Sequence, residues 1–175
     1  MNTVFFDLET QRLFEDVGGR HNVRKLGLSV AVTYSTADEA FHHYREEDAA
    51  RLIADLEAAD RVVGFNLLTF DYEVLRAYEA GFAPPDTIDM LDHIYRRLGF
   101  RVSLDNLATT TLGVSKSADG LQAVRWFREG RIQDVLEYCQ KDVEVTRDLY
   151  HFGQTSKHLK FRDNRYRTQR VPVSW

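Results

Sequence analysis

Residues 3 to 10 read Thr3-Val4-Phe5-Phe6-Asp7-Leu8-Glu9-Thr10, and this stretch decides the reading of the chain. Thr3 to Phe6 is a short, β-rich apolar run, and the polar, glycine-bearing stretch Gln11 to Lys25 follows, so a strand empties into a long loop. On a strand, residues two apart leave the same face. Asp7 and Glu9 therefore stand together beside a wall of Val4, Phe5, Phe6 and Leu8, and two anions so placed repel. Protonation or a cation relieves the repulsion, and a divalent metal is the strongest relief. Alone, acids at a strand end more often point into solvent, so a functional reading needs partners elsewhere in the chain.

Working outward, Leu26 to Tyr34 and Ala40 to Tyr44 are rich in β-branched and aromatic residues around a turn at Ser35 to Glu39. They predict three adjacent antiparallel strands with the first run. Glu46 to Ala59 places Ala49, Leu52, Ile53 and Leu56 at helical spacing and crosses over to Arg61–Gly64, a short strand expected parallel to an earlier one. From residue 71 helices are expected at Asp71–Ala80, Asp89–Leu98, Ser103–Thr111 and Gln122–Glu129, covering one side of the sheet. The most regular helix is Ile132–Phe152, with a stripe of Ile132, Val135, Leu136, Cys139, Val143, Thr146 and Tyr150.

Lys157 to Arg170 holds six Lys/Arg and one Asp, a net +5 that leaves −9 on residues 1–156, and reads as a basic β-hairpin. The expected fold class is thus α/β: a mixed sheet of three antiparallel strands then parallel strands, flanked by helices, with a C-terminal basic hairpin. Residues 1–156 form the domain and 157–175 its extension.

The 175 residues, 43% hydrophobic and 29% charged, suit one globular domain and exclude a disordered or low-complexity chain. A formal charge of −4 means that any nucleic-acid binding must be local. The single cysteine, Cys139, fits a reducing, cytoplasmic setting, and no Cys/His spacing resembles a zinc site. No basic leader precedes the first strand and no run of 18 apolar residues occurs, so neither secretion nor membrane spanning is expected.

Partners for the first two acids exist. Asp71 opens a helix just after Asn66-Leu67-Leu68-Thr69-Phe70, the exit of the Arg61–Gly64 strand, at the sheet end where Asp7 and Glu9 lie. As a lone residue it is equally a helix N-terminal acid, and Asn66 equally a turn residue. Tyr138 and Asp142 are four apart on the long helix and border its buried side. Four carboxylates from strand ends and helices would form an oxygen-rich site suited to two Mg²⁺ or Mn²⁺ ions rather than zinc. Such a site suits phosphodiester hydrolysis: one ion acidifies the attacking water while the other stabilises the departing 3′ oxygen. Tyr138 would orient that water or help deprotonate it.

These residues resemble the three motifs of the DnaQ-like 3′-to-5′ exonucleases of ribonuclease H-like fold: Asp7-x-Glu9-Thr10, the segment Asn66 to Asp71, and Tyr138-x-x-x-Asp142. The similarity is to the DEDDy branch, because Glu137 occupies the position where the other branch carries its histidine. The resemblance implies that Asp7, Glu9, Asp71 and Asp142 are metal ligands and that Tyr138 positions the nucleophilic water. It also implies that Leu8, Thr10 and Asn66 contact the terminal nucleotide. The second motif holds one residue more between Asn and Asp than the usual Asn-x-x-Phe-Asp, and a Thr-Gly continuation after Thr10 is absent.

The function expected from this is metal-dependent 3′-to-5′ hydrolysis of single-stranded DNA or RNA. The competing expectation is a catalytically weak nucleic-acid-binding module that partners a helicase; its signature would be a missing acid, and none is missing. A phosphatase using a strand-end Asp as nucleophile would want Asp at position 9. Phe161 and Tyr166 among the hairpin's arginines suit stacking on bases, and Lys116, Arg125 and Trp126 fall where a substrate groove could run. His21, His42, His43, His93, His151 and His158 lack ligand spacing.

Overall fold

A computed structural model describes residues 1–114 and 120–175. Lys116 lies outside the described residues. Strands β1 (Thr3–Thr10), β2 (Leu28–Ser35) and β3 (Ala40–Arg45) pair antiparallel. Helix α1 (Ala49–Glu57) then crosses to β4 (Arg61–Gly64), which lies parallel to β1 on its other side. A fifth strand, β5 (Asp86–Asp89), pairs parallel with β4 and completes the order β3-β2-β1-β4-β5. The mixed sheet expected from the sequence is thus present, with β1 at its centre.

Alternation along β1 splits the core into two. Val4, Phe6 and Leu8 pack with α1, whereas Phe5 packs on the opposite face. Asp7 and Glu9 share the parity of Phe5 and so belong to that second face. That face is covered by α3 (Met90–Leu98), α4 (Leu104–Leu112), α5 (Gly120–Arg128) and α6 (Ile132–Ser156). Burial of the α6 stripe, with Val135, Cys139, Val143 and Leu149 fully enclosed, is what fixes the helix against the strand carrying the acids.

One expectation is corrected and two are made more precise. First, the helices after residue 71 do not all cover one side: the short α2 (Tyr72–Leu75), which follows a wide helical turn over Leu67–Asp71, packs with α1. Asp71 ends that turn instead of opening a ten-residue helix. Second, the further parallel strand of the expected sheet is β5, only four residues long and following Pro84-Pro85, a stretch that the sequence pattern does not single out. Third, β1 runs through Thr10, so both acids lie within paired strand, and the pairing shifts register at Glu9/Thr10, where the site begins.

The C-terminal hairpin is present as β6 (His158–Arg162) and β7 (Thr168–Pro172). Leu159, Phe161, Val171 and Val173 join the α6-side core, so the hairpin is packed onto the domain. The indole of Trp175 donates to the Tyr150 carbonyl at 3.0 Å and lies over Gly153, where a Cβ would come within 2.7 Å of the ring. Among the described residues no helix is long and apolar enough to cross a membrane.

Candidate active site

The central strand and the long helix meet at the acids. Carboxylate oxygens of Asp7, Glu9 and Asp142 all lie within 4.8 Å of one another, though Asp142 is far from the other two in the chain. At that spacing the mutual repulsion of three anions is several kcal/mol even in a fairly polar medium, about 4 kcal/mol for one pair at an effective dielectric of 20. Oxygen donors grouped in this way, without thiolate or imidazole, fit a hard divalent cation.

Asp71 stands next to this group but not in it. It is 2% exposed, and its Oδ1 accepts a hydrogen bond from the backbone N–H of Leu8, the residue between Asp7 and Glu9, at 3.2 Å. Burial, joined by the negative charge of Asp89, pushes the Asp71 carboxyl up to about 8, against hydrogen bonds that favour its ionised form. A cation beside it would offset that penalty. Asp7, Glu9, Asp71 and Tyr138 line one cleft of about 650 Å³.

The wide turn over Leu67–Asp71 has the geometry by which a helix accommodates one additional residue as a bulge. Asn66 enters it with a left-handed backbone, φ 75°, and Leu67 folds back so closely that a Cβ on Gly64 would come within 2.5 Å of its side chain. The turn is anchored by a residue outside the recognised motifs. Asp89, 6% exposed, accepts from the N–H groups of Asn66 at 2.8 Å and Leu68 at 3.0 Å while its Oδ1 also caps α3 through Leu91 and Asp92.

Tyr138 is 5% exposed, and burial first, then the charges of Asp142, Glu9 and Asp7, push its phenol far above the ordinary range. Its ring is edge-on to Trp126 at 6.4 Å. The neighbouring Cys139 donates to the backbone carbonyl of Asp7 at 3.3 Å and to its Oδ2 at 3.6 Å. Burial raises that thiol well above its usual value, so it serves as a neutral donor and not as a nucleophile.

The three residues expected to contact the terminal nucleotide fare differently. Asn66 lines the cleft, and its side-chain oxygen accepts from Thr69 and from Arg101, each at 2.8 Å. Thr10 also lines it, with its hydroxyl donating to the carbonyl of Arg12 at 2.9 Å. The Leu8 side chain is 3% exposed and belongs to the α1-side core, although it borders the cleft. Arg125 is exposed and Trp126 packs in the α6-side core. Asp89, Cys139 and Arg101 escaped sequence reasoning. Only Asp89 carried a signal, as a capping acid before the Met90–Leu98 periodicity.

Comparison with known proteins agrees with this architecture. A family profile described as the RNase H superfamily matches residues 4–152, from β1 through most of α6. Among solved structures, the chain is similar to the family B DNA polymerase from the hyperthermophilic archaeon Pyrobaculum calidifontis, with a TM-score of 0.68 at 14% identity. The match covers 88% of this chain and 24% of the polymerase chain, so the chain spans about a quarter of that protein's length. No curated protein matches the sequence.

Proposed function

The chain belongs to the RNase H superfamily, and from that premise we propose that it is a metal-dependent nuclease of the DnaQ-like, DEDDy type, removing nucleotides from the 3′ end of single-stranded DNA or RNA. The observation that carries the reading is the meeting of Asp7, Glu9 and Asp142 within 4.8 Å, with the buried Asp71 one hydrogen bond away through Leu8. Asp7, Glu9, Asp71 and Asp142 would hold two divalent ions of the Mg²⁺ or Mn²⁺ class, which supply an acidified water and charge stabilisation at the departing 3′ oxygen.

The chain's own groups have separable tasks. Tyr138, buried with its ring against Trp126 and its hydroxyl among three carboxylates, donates or accepts a hydrogen bond and so orients water. Cys139 fixes Asp7, and the backbone of Leu8 fixes Asp71, so the acids are positioned before substrate arrives. Asn66, Thr10 and Leu8 border the space where the terminal nucleotide would lie.

Product ladders from 3′- and 5′-labelled DNA and RNA oligonucleotides test this. With Mg²⁺ or Mn²⁺, 5′-labelled strands are expected to shorten one nucleotide at a time, 3′ labels to be released first as mononucleotide, and chelator to stop both. Internal cuts, or shortening from the 5′ end, would refute the polarity.

A further inference from the structure

Beside the acid cleft lies a second, larger cavity of about 790 Å³, between the segment after α3 and the C-terminal hairpin. Arg101, Val102 and Ser103 line both this groove and a smaller space of about 450 Å³ bordered by Asp7, Asn66 and Asp142, which in turn shares Asp7, Phe65 and Asn66 with the acid cleft, so the groove adjoins the acids through that space. Their chemistry is opposite. The groove is lined by Arg101, Arg162, Arg167 and Arg170 with one carboxylate, Asp163, which Arg167 already pairs at 3.0 Å. Phe100 adds an aromatic ring, 49% exposed and braced edge-on by the buried Phe161 at 5.9 Å.

The groove wall is built, not loose. Asn106 on α4 donates to the Arg162 carbonyl at 2.9 Å and accepts from its N–H at 2.7 Å. Thr111 does the same for Lys160, at 2.8 and 2.9 Å. Two side chains of a helix thus satisfy the free edge of β6. The hairpin charges are therefore not needed to guard that edge from aggregation, which leaves them available to a ligand. Arg101 sits at the junction, donating to Asn66 in the acid cleft.

We propose that this groove is the track for the body of a single-stranded nucleic acid whose 3′ end enters the acid cleft, with Arg101, Arg162 and Arg170 on its phosphates and Phe100 stacking on a base. The proposal rests on the nuclease reading for its direction, but the groove itself stands on its charge and on its place beside the acids. Arginine forks match phosphate oxygens, aromatic stacking tolerates any base, and an anion held there keeps its backbone clear of the acids while delivering its end to them. An acidic protein segment would match the charge but would have no use for a place beside the cleft.

Fluorescence anisotropy with labelled 12-nucleotide DNA and RNA, in chelator and across a salt series, separates the two claims because no catalysis is needed. The double variant Arg162→Glu/Arg170→Glu is expected to weaken binding at least 10-fold and to flatten the log–log salt slope by about 1 to 2. Arg162→Lys/Arg170→Lys should keep most of the affinity, and circular dichroism checks folding. Lys25→Glu/Arg45→Glu, with the same change of net charge away from the groove, should change affinity less than threefold. Equal losses in both charge-reversed proteins, or unchanged binding in the groove variant, would overturn the track; unchanged binding would mean that the groove serves a protein. Lost binding in the groove variant while the wild type hydrolyses nothing would uphold the groove and sink the catalytic reading instead.

Discussion

Asp142→Ala is expected to lower the rate of hydrolysis of a single-stranded oligonucleotide in saturating Mg²⁺ or Mn²⁺ by at least about 10³-fold, on the order of 4 kcal/mol of barrier. The reason is geometric. Asp142 is the only one of the three clustered carboxylates that comes from α6, and it faces Asp7 and Glu9 across the interface between sheet and helix. Without it, a cation would be held from one side alone, and charge developing in the transition state would lose its counterpart. Asp142 is 7% exposed beside two other carboxylates and also hydrogen-bonds the buried Tyr138, so its removal relieves repulsion while taking away one polar partner. The two effects oppose each other, and thermal unfolding in chelator is expected within a few degrees, roughly, of the wild-type temperature. A kinetic measurement paired with that melting curve distinguishes a lost ligand from a lost fold, and full activity in the variant would discard the site.

Tyr138→Phe is expected to reduce kcat by about 10²-fold, near 2.7 kcal/mol, with KM and the dependence on metal concentration little changed. The ring is buried against Trp126, and phenylalanine keeps that packing. What disappears is one hydroxyl set among Asp142, Glu9 and Asp7. Equal rates for Phe and Tyr would remove the hydroxyl from the mechanism, whereas a rise in KM with constant kcat would reassign it to substrate binding.

Much of this site was legible in the chain because its strongest constraints are local. The period of two in Thr3–Thr10 puts Asp7 and Glu9 on one face, and the four-residue step from Tyr138 to Asp142 follows the α6 stripe. Both survive unchanged in the structure. What failed depends on tertiary pairing. Asp86–Asp89 is too short to show alternation, and only its parallel partner β4 makes it a strand. The wide turn ending at Asp71 is held by Asp89 reaching back to Asn66 and Leu68, a contact across more than 20 residues. Cys139 read as one more apolar position in a stripe, and its role toward Asp7 exists only once helix and strand are docked. Arg101 carried no pattern at all, and its meaning comes from lying between two cavities of opposite charge.

The central claim is that oxygens gathered from β1, α6 and the Asp71 turn exist to hold divalent cations. Anomalous diffraction from crystals of the wild-type protein soaked in manganese addresses it without relying on substrate. The expected map shows manganese between Asp7, Glu9 and Asp142, with Asp71 within reach through a direct or bridged contact. A cleft left empty at saturating manganese, or ions bound only elsewhere on the surface, would contradict the account.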